Sequence, residues 1–298
     1  MEEKYLKPRV SIGIPIYHGE GYLEETLKSL LNQSYKDYEV IITDNDPGGE
    51  AERIAEEYSE KYKFIRYIKH PRNTGALQNW NSIVQFASGE YFLYAGAHDL
   101  LSENALEKMV DALDRYPSVV LVYAPTQFIS SEGIPFDKHI GLLDTSGART
   151  VHRFIQLMWA NQEALYGLMR IDCVRRTRLQ KEIVGSGAVW LAELSVFGEF
   201  RLCTDILRYR RSNRATQNRE EQLSRYHRTL FSKKRIRILP HWRIPFHYFL
   251  ACFSGKMSPA TRLRLICTVL VAGMLRHGPD MIWDIGSLFK RIPRGKFY

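Results

Sequence analysis

The sequence predicts an α/β fold, a Rossmann-like, mostly parallel β-sheet with helices on both faces. Three observations predict it. Short apolar, β-rich runs recur through the first 125 residues, segments of helical apolar spacing lie between them, and turn-forming clusters close several of the runs. Strands that alternate with helices imply βαβ units, hence parallel pairing with both sheet faces covered.

Val10 to Ile16 reads as a buried strand. Leu23, Leu27, Leu30 and Leu31 follow at i, i+4, i+7 and i+8, one face of a helix. Tyr38 to Thr43 is a second strand, stopped by Asp44-Asn45-Asp46-Pro47-Gly48-Gly49. Glu50 to Lys61 is helical, Phe64 to Lys69 a third strand, Ala76 to Ala87 a helix and Tyr91 to Ala95 a fourth strand. Ser102 is expected to cap a helix carrying Leu106, Met109, Val110 and Leu113, with a Leu101–Leu106 staple across the cap. Val119 to Tyr123 is a fifth strand. Phe128 to Arg149 reads as loop, Val151 to Asn161 and Leu191 to Phe197 as helices, and Phe200 to Arg211 as one strand leading into a basic segment. Ligands of such sheets bind beyond the carboxyl ends of the strands. That singles out Tyr17, Asp44, Asp46, His98 and Asp99.

At 298 residues, 45% hydrophobic and 25% charged, the chain suits one large domain, or one domain and an appendage. Cys173, Cys203, Cys252 and Cys267 lie far apart without zinc spacing, and are expected to be free thiols. No uninterrupted apolar stretch reaches the roughly 18 residues of a spanning helix. Met1 to Arg9 is charged, with no signal-like apolar segment, so a cytoplasmic protein is expected.

Charge is uneven. From Arg201 onward there are 21 Lys/Arg against 5 Asp/Glu, a net of +16, while the first 200 residues are net acidic. Basic segments seek phosphate. Residues 219–298 are therefore read as a basic amphipathic extension of a 1–218 domain, itself split into halves of about 8–125 and 126–218. Within the extension, Ile244 to Phe253 and Leu265 to Leu275 are apolar but short, and Trp242, Phe246, Tyr248, Phe249 and Trp283 stand among Lys and Arg. The composition suits peripheral contact with an anionic membrane. Completion of the core, or a homodimer interface, is the competing reading.

After the first strand, Pro15-Ile16-Tyr17-His18-Gly19-Glu20-Gly21 lacks the third glycine of a dinucleotide fingerprint, and no GxxxxGK[ST] occurs. No nucleic-acid-binding motif accompanies the positive charge, so nucleic acid is not expected as a partner.

Several ordered motifs together resemble the family 2 glycosyltransferases. Val10-Ser11-Ile12-Gly13-Ile14-Pro15-Ile16-Tyr17 is similar to the family's first strand. Glu39-Val40-Ile41-Ile42-Thr43-Asp44 is similar to its second strand and uracil-side Asp. His70-Pro71-Arg72-Asn73-Thr74-Gly75, Asn79-Trp80-Asn81 and Ala87-Ser88-Gly89-Glu90-Tyr91-Phe92 follow in family order. Ala97-His98-Asp99 is similar to an A-H-D-D variant of the D-x-D motif. The likeness is strong over about residues 8–125 and continues weakly to Tyr209-Arg210-Arg211.

The resemblance implies a GT-A fold and transfer, with inversion, of a sugar from a nucleotide donor, UDP-linked, to a glycan or lipid-linked acceptor. It places Tyr17 against the base, a plain strand-end aromatic being the alternative, counts Pro15 among the nucleotide-binding residues, and sets Asp44 on the pyrimidine imide, an Asx turn being the alternative for Asp44. It makes Asp99 the ligand of Mg²⁺ or Mn²⁺, which would neutralise the leaving diphosphate. Gly75 would allow close backbone approach, or merely start a helix. Asn73 and Asn79 would be pocket or packing residues. His98, Arg170, Arg210 and Arg211 would meet phosphate oxygens, or be structural or solvated. Two departures stand out. Leu100 replaces the second Asp of A-H-D-D, and Gly185-Ser186-Gly187-Ala188-Val189 holds no acid where the family often has its acceptor base. Glu193 is the nearest remaining carboxylate for that role. The alternative is a catalytically impaired nucleotide-sugar-binding homologue that assists a partner transferase.

Overall fold

Seven strands form the main sheet of the computed structural model, in the order β10-β6-β9-β4-β1-β2-β3. The structure describes residues 7–17, 21–45, 47–211 and 239–289. β1 (Val10–Ile16), β2 (Tyr38–Asp44), β3 (Ile65–Lys69) and β4 (Tyr91–Tyr94) pair in parallel. β1 and β2 are buried along almost their whole length, as near-continuous apolar strands covered on both faces should be. β6 (Val119–Tyr123) and β10 (Glu199–Leu202) are also parallel to each other, while β9 (Leu168–Arg170) runs antiparallel between β4 and β6.

Helices α1 (Leu23–Leu31), α2 (Gly49–Lys61), α3 (Ala76–Phe86) and α4 (Ala105–Arg115) follow β1, β2, β3 and β4. Their buried faces are the ones the apolar spacing predicts: Leu23, Leu27 and Leu30 on α1, and Leu106, Met109, Val110 and Leu113 on α4. α3 passes so close to β1 that a Cβ on Gly13 would stand 2.2 Å from Ile83 Cγ2. Ser102 is not the cap of α4. Asn104 holds that position, and the Ser102 hydroxyl bonds its side chain at 3.1 Å.

The stretch expected as loop contains a hairpin, β7 (Thr126–Ile129) and β8 (Pro135–Ile140). Gly133 turns it at φ +84°, and the Ser130 hydroxyl accepts the amides of Glu132 and Ile134. Its strands are partly exposed, so they carry no clean apolar alternation. Phe200 to Arg211 is likewise not one strand. β10 ends at Leu202, and β11 (Arg208–Arg211) joins a second sheet ordered β5-β11-β7-β8, where β5 is Asp99–Leu101.

The remaining helices are α5 (Thr150–Trp159), α6 (Ile171–Arg175), α7 (Ser186–Leu194), α8 (Arg243–Ala251) and α9 (Pro259–Phe289). Ile244, Tyr248, Leu265, Val269 and Ala272 join Phe154 and Trp190 in one apolar cluster. Residues on both sides of position 218 thus share one cluster, and one face of each apolar segment of the extension packs on the core. α9 also corrects the expected length limit. The helical stretch Pro259–Gly286, 28 residues, is long and apolar enough by length and composition to cross a membrane. Isolated polar residues such as Arg276 and Asp280 interrupt the apolar run in sequence without ending the helix.

Candidate functional site at the carboxyl edge of the sheet

β1 lies between β2 and β4, so chain direction across the sheet reverses at β1. Such a switch point opens a crevice beyond the strand ends. Tyr17 follows β1 and is partly exposed, Asp44 ends β2, and the turn Ala95–Asp99 follows β4. Pro15 sits in β1 opposite Thr43. Asp46 lies outside the described residues.

The β2 end is braced from three sides. Tyr67 on β3 donates its hydroxyl to Asp44 Oδ2 at 2.6 Å. Burial, then the Asp44 charge, push the Tyr67 pKa upward, which keeps the phenol a donor. Asn45 Oδ1 accepts both the amide and the hydroxyl of Thr74, and Asn45 Nδ2 donates to Asn73 Oδ1 at 2.8 Å. Gly75, at φ +90°, donates its amide to the same Asn73 oxygen at 2.9 Å. The loop after β3 is thus tied across the end of β2, with Asn73 and Gly75 at the edge. Asn79 is buried and donates to the carbonyls of Ile16 and Thr43 at 3.0 and 3.3 Å. Its geometry is that of a clamp joining the ends of β1 and β2.

Asp99 is buried, and its partner was not legible beforehand. Arg208 on β11 donates to Asp99 Oδ2 from Nε at 3.0 Å and from Nη2. Arg208 Nη1 reaches Glu163 Oε2 at 2.7 Å and Thr126 Oγ1 at 3.3 Å, and its guanidinium lies 3.6 Å from the centre of the Tyr166 ring. Burial disfavours the guanidinium charge, but Asp99, Tyr166 and Glu163 outweigh it and the Arg208 pKa is raised. Arg210, on the same strand face as Arg208, bonds Glu163 Oε1 at 2.7 Å while its side chain stays 36% exposed. The result is a chain of alternating charge, Asp99–Arg208–Glu163–Arg210.

Asp99 Oδ1 is buried and accepts no hydrogen bond, and His98 Nε2, on a half-exposed side chain, stands 3.8 Å from it. A hard divalent cation that keeps water and binds substrate phosphates needs only one or two carboxylates. Asp99 Oδ1 is one such oxygen. No cluster of three His, Cys, Asp or Glu suited to a metal occurs among the described residues.

Three expected residues lie elsewhere or are otherwise engaged. Arg170 pairs with Tyr91 at the amino end of β4, the opposite edge of the sheet. It donates to the carbonyls of Val119 and Leu113 at 2.9 and 2.6 Å, closing the last turn of α4. Arg211 is buried on the other face of β11, where it pairs with Glu25 at 2.5 Å and lies over Tyr22. Glu193 is 1% exposed within α7, a helix buried on every side. It accepts from Arg178 N, Nε and Nη2 at about 3.0 Å and from the Ser254 hydroxyl, while Arg178 also donates to His247 O on α8. Glu193 is a structural anchor for the loop between α6 and α7, and it is sealed from any acceptor.

A mostly parallel sheet with its crevice at this switch point defines a GT-A-type fold. Solved structures agree: residues 1–349 of S. aureus TarS in complex with UDP-GlcNAc match with TM-score 0.65 at 14% identity, over 89% of this chain and 72% of that one. The model of glycosyl transferase family 2 matches residues 11–160. The chain belongs to that family. Among its relatives are an uncharacterized glycosyltransferase of Methanocaldococcus jannaschii, 34% identical over 129 residues (43% of this chain and 44% of the relative). Another is the putative teichuronic acid biosynthesis glycosyltransferase TuaG of Bacillus subtilis, 28% identical over 134 residues (45% and 53%). The chain spans about half, or less, of the length of these relatives.

Proposed function

We propose that the protein transfers a sugar from a nucleoside diphosphate donor, UDP-linked, to a surface glycan or lipid-linked acceptor, with inversion. The observation that carries this reading is the switch point, where Tyr17, Asp44 and the turn to Asp99 leave three neighbouring strands at one edge. A uracil would lie against Tyr17 and donate its imide N–H to Asp44, whose position Tyr67 and the Asn45–Thr74 bonds fix. Asn73 and Gly75 would line the approach to the nucleotide. Arg210, partly exposed, would meet phosphate charge. Asp99 would hold Mg²⁺ or Mn²⁺, which would supply positive charge to the departing diphosphate, and His98 would meet the diphosphate or donor sugar.

The uridine donor is supported by TarS structures with UDP and UDP-GlcNAc, and a divalent ion by a Pyrobaculum calidifontis mannosyltransferase with GDP-Man and Mn²⁺. A surface-glycan acceptor is supported by the teichuronic and minor teichoic acid biosynthesis proteins of Bacillus subtilis. Glu193, sealed against Arg178, is not assigned the acceptor proton. That same burial favours a second reading, a nucleotide-sugar binder with little transfer of its own.

Calorimetry with UDP and UDP-sugars, with and without Mn²⁺, tests the site. A hydrogen bond to a charged group contributes about 1.5–3 kcal/mol, so Asp44→Asn should weaken UDP roughly 10- to 100-fold. Unchanged affinity in that variant would sink the assignment. UDP release in the presence of acceptor separates transfer from binding alone.

A further inference from the structure

We propose that the outer face of α9 lies in the plane of an anionic membrane surface, seating the protein on lipid without crossing it. Leu263, Leu270, Val271, Met274 and Leu275 are all exposed and recur at helical spacing, and Ile282 extends the stripe. Leu275 is 74% and Ile282 72% exposed. At 1.5 Å per residue the stripe is about 29 Å long. Phe246 on α8, Phe253 just after it and Trp242 just before it add exposed aromatic surface. So long an exposed apolar stripe marks a contact with a protein or a membrane.

The opposite face of α9 decides between crossing and lying flat. Leu265, Val269 and Ala272 are buried in the core they share with Phe154 and Trp190. Asp284 is buried and accepts from the backbone amide and the ring of His241, both at 2.9 Å. A helix so fixed to its domain cannot be surrounded by hydrocarbon. It can offer lipid one side, as interfacial amphipathic helices do.

Charge decides between lipid and a second copy. No acidic residue occurs from Pro259 to Arg276, and the described residues from 239 onward carry five Lys/Arg against two Asp/Glu. Arg264 is exposed one residue after Leu263, and Lys256 just before the helix. An anionic leaflet complements this charge, whereas a second copy brings the same sign to the same face.

Co-sedimentation of the full chain with phosphatidylcholine vesicles, with or without about one-quarter phosphatidylglycerol, is the test. The protein should pellet with the anionic vesicles, less so as salt rises, and sodium carbonate should strip it off. Leu270→Glu with Leu275→Glu should cut binding at least about tenfold. Both positions are solvent-exposed, so the melting temperature should be kept. The proposal is overturned if the parent stays in the supernatant with anionic vesicles at low salt, or if the double variant binds as the parent does. It is also overturned if carbonate fails to release the protein, which means a crossing helix. Ultracentrifugation showing a parent dimer that the double variant dissolves would assign the face to a second copy instead.

Discussion

Replacing Arg208 with Met removes the centre of the buried charge chain while keeping most of the side-chain volume. Arg208 is buried and serves two carboxylates, Asp99 at 4% exposure and Glu163 at 6%. Glu163 keeps Arg210 as a partner, but Asp99 Oδ2 loses both of its donors. Removing one member of a buried pair typically costs about 3–5 kcal/mol, because an uncompensated charge stays behind. At about 2–4 °C per kcal/mol for a large domain, melting should fall by roughly 10 °C. Arg115→Met is the control: its partner Asp111 is one turn away and both side chains are about two-thirds exposed, so the cost should be under about 1 kcal/mol. Neutralising the orphan in Asp99→Asn/Arg208→Met should recover part of the loss. Circular dichroism melts decide it. An Arg208→Met protein that melts within about 2 °C of the parent would refute the claim that this chain braces the edge.

Glu193→Gln should lower the melting temperature, by about 3 kcal/mol of stability, and leave UDP affinity unchanged, because the ion pair with Arg178 is structural. Unaltered melting with turnover down about 10²-fold would instead restore Glu193 as a base. pH gives a separate test through α8 and α9. Burial, with Arg178 adding to it at His247 and Arg276 at His277, pushes both imidazoles down to about 4. The unfolded chain, at about 6.5, binds protons in that window that the folded one refuses. Stability should therefore fall as pH drops from 6.5 towards 4, before Glu39, Asp114 and Asp144, all lowered in the fold, begin to add their own loss. His277→Phe should flatten the first part of the curve, and a melting temperature constant between pH 7 and 5 would contradict the assignment.

The nucleotide half was legible because its strands are buried on both faces and its helices on one. Such elements write their periods into the sequence, and their ends mark Tyr17, Asp44, His98 and Asp99. The hairpin from Thr126 to Ile140 was not, since partly exposed strands carry mixed residues. Arg170 was expected at the wrong edge because sequence does not reveal strand direction, and β9 runs against its neighbours. Glu193 looked available because Arg178 and Ser254 meet it only through tertiary packing. Arg208 stands two positions before the Arg210-Arg211 pair, on alternate spacing with Arg210. Without knowing that β11 lies against β5, nothing linked it to Asp99.

The antiparallel pairing of β5 with β11 sets Asp99 opposite Arg210 and brings the side chain of Arg208, 109 residues further along the chain, to the Asp99 carboxylate. Chains are made and begin to fold from the amino end. β1 to β4 and their helices leave the ribosome long before β11 does, and until Arg208 arrives Asp99 can be buried only as an uncompensated charge, which costs several kcal/mol. Burial of Asp99 as a carboxylate thus depends on a residue made 109 positions later. A chain arrested between residues 99 and 208 would carry Tyr17, Asp44 and Asp99 and still lack the cation that pairs with Asp99.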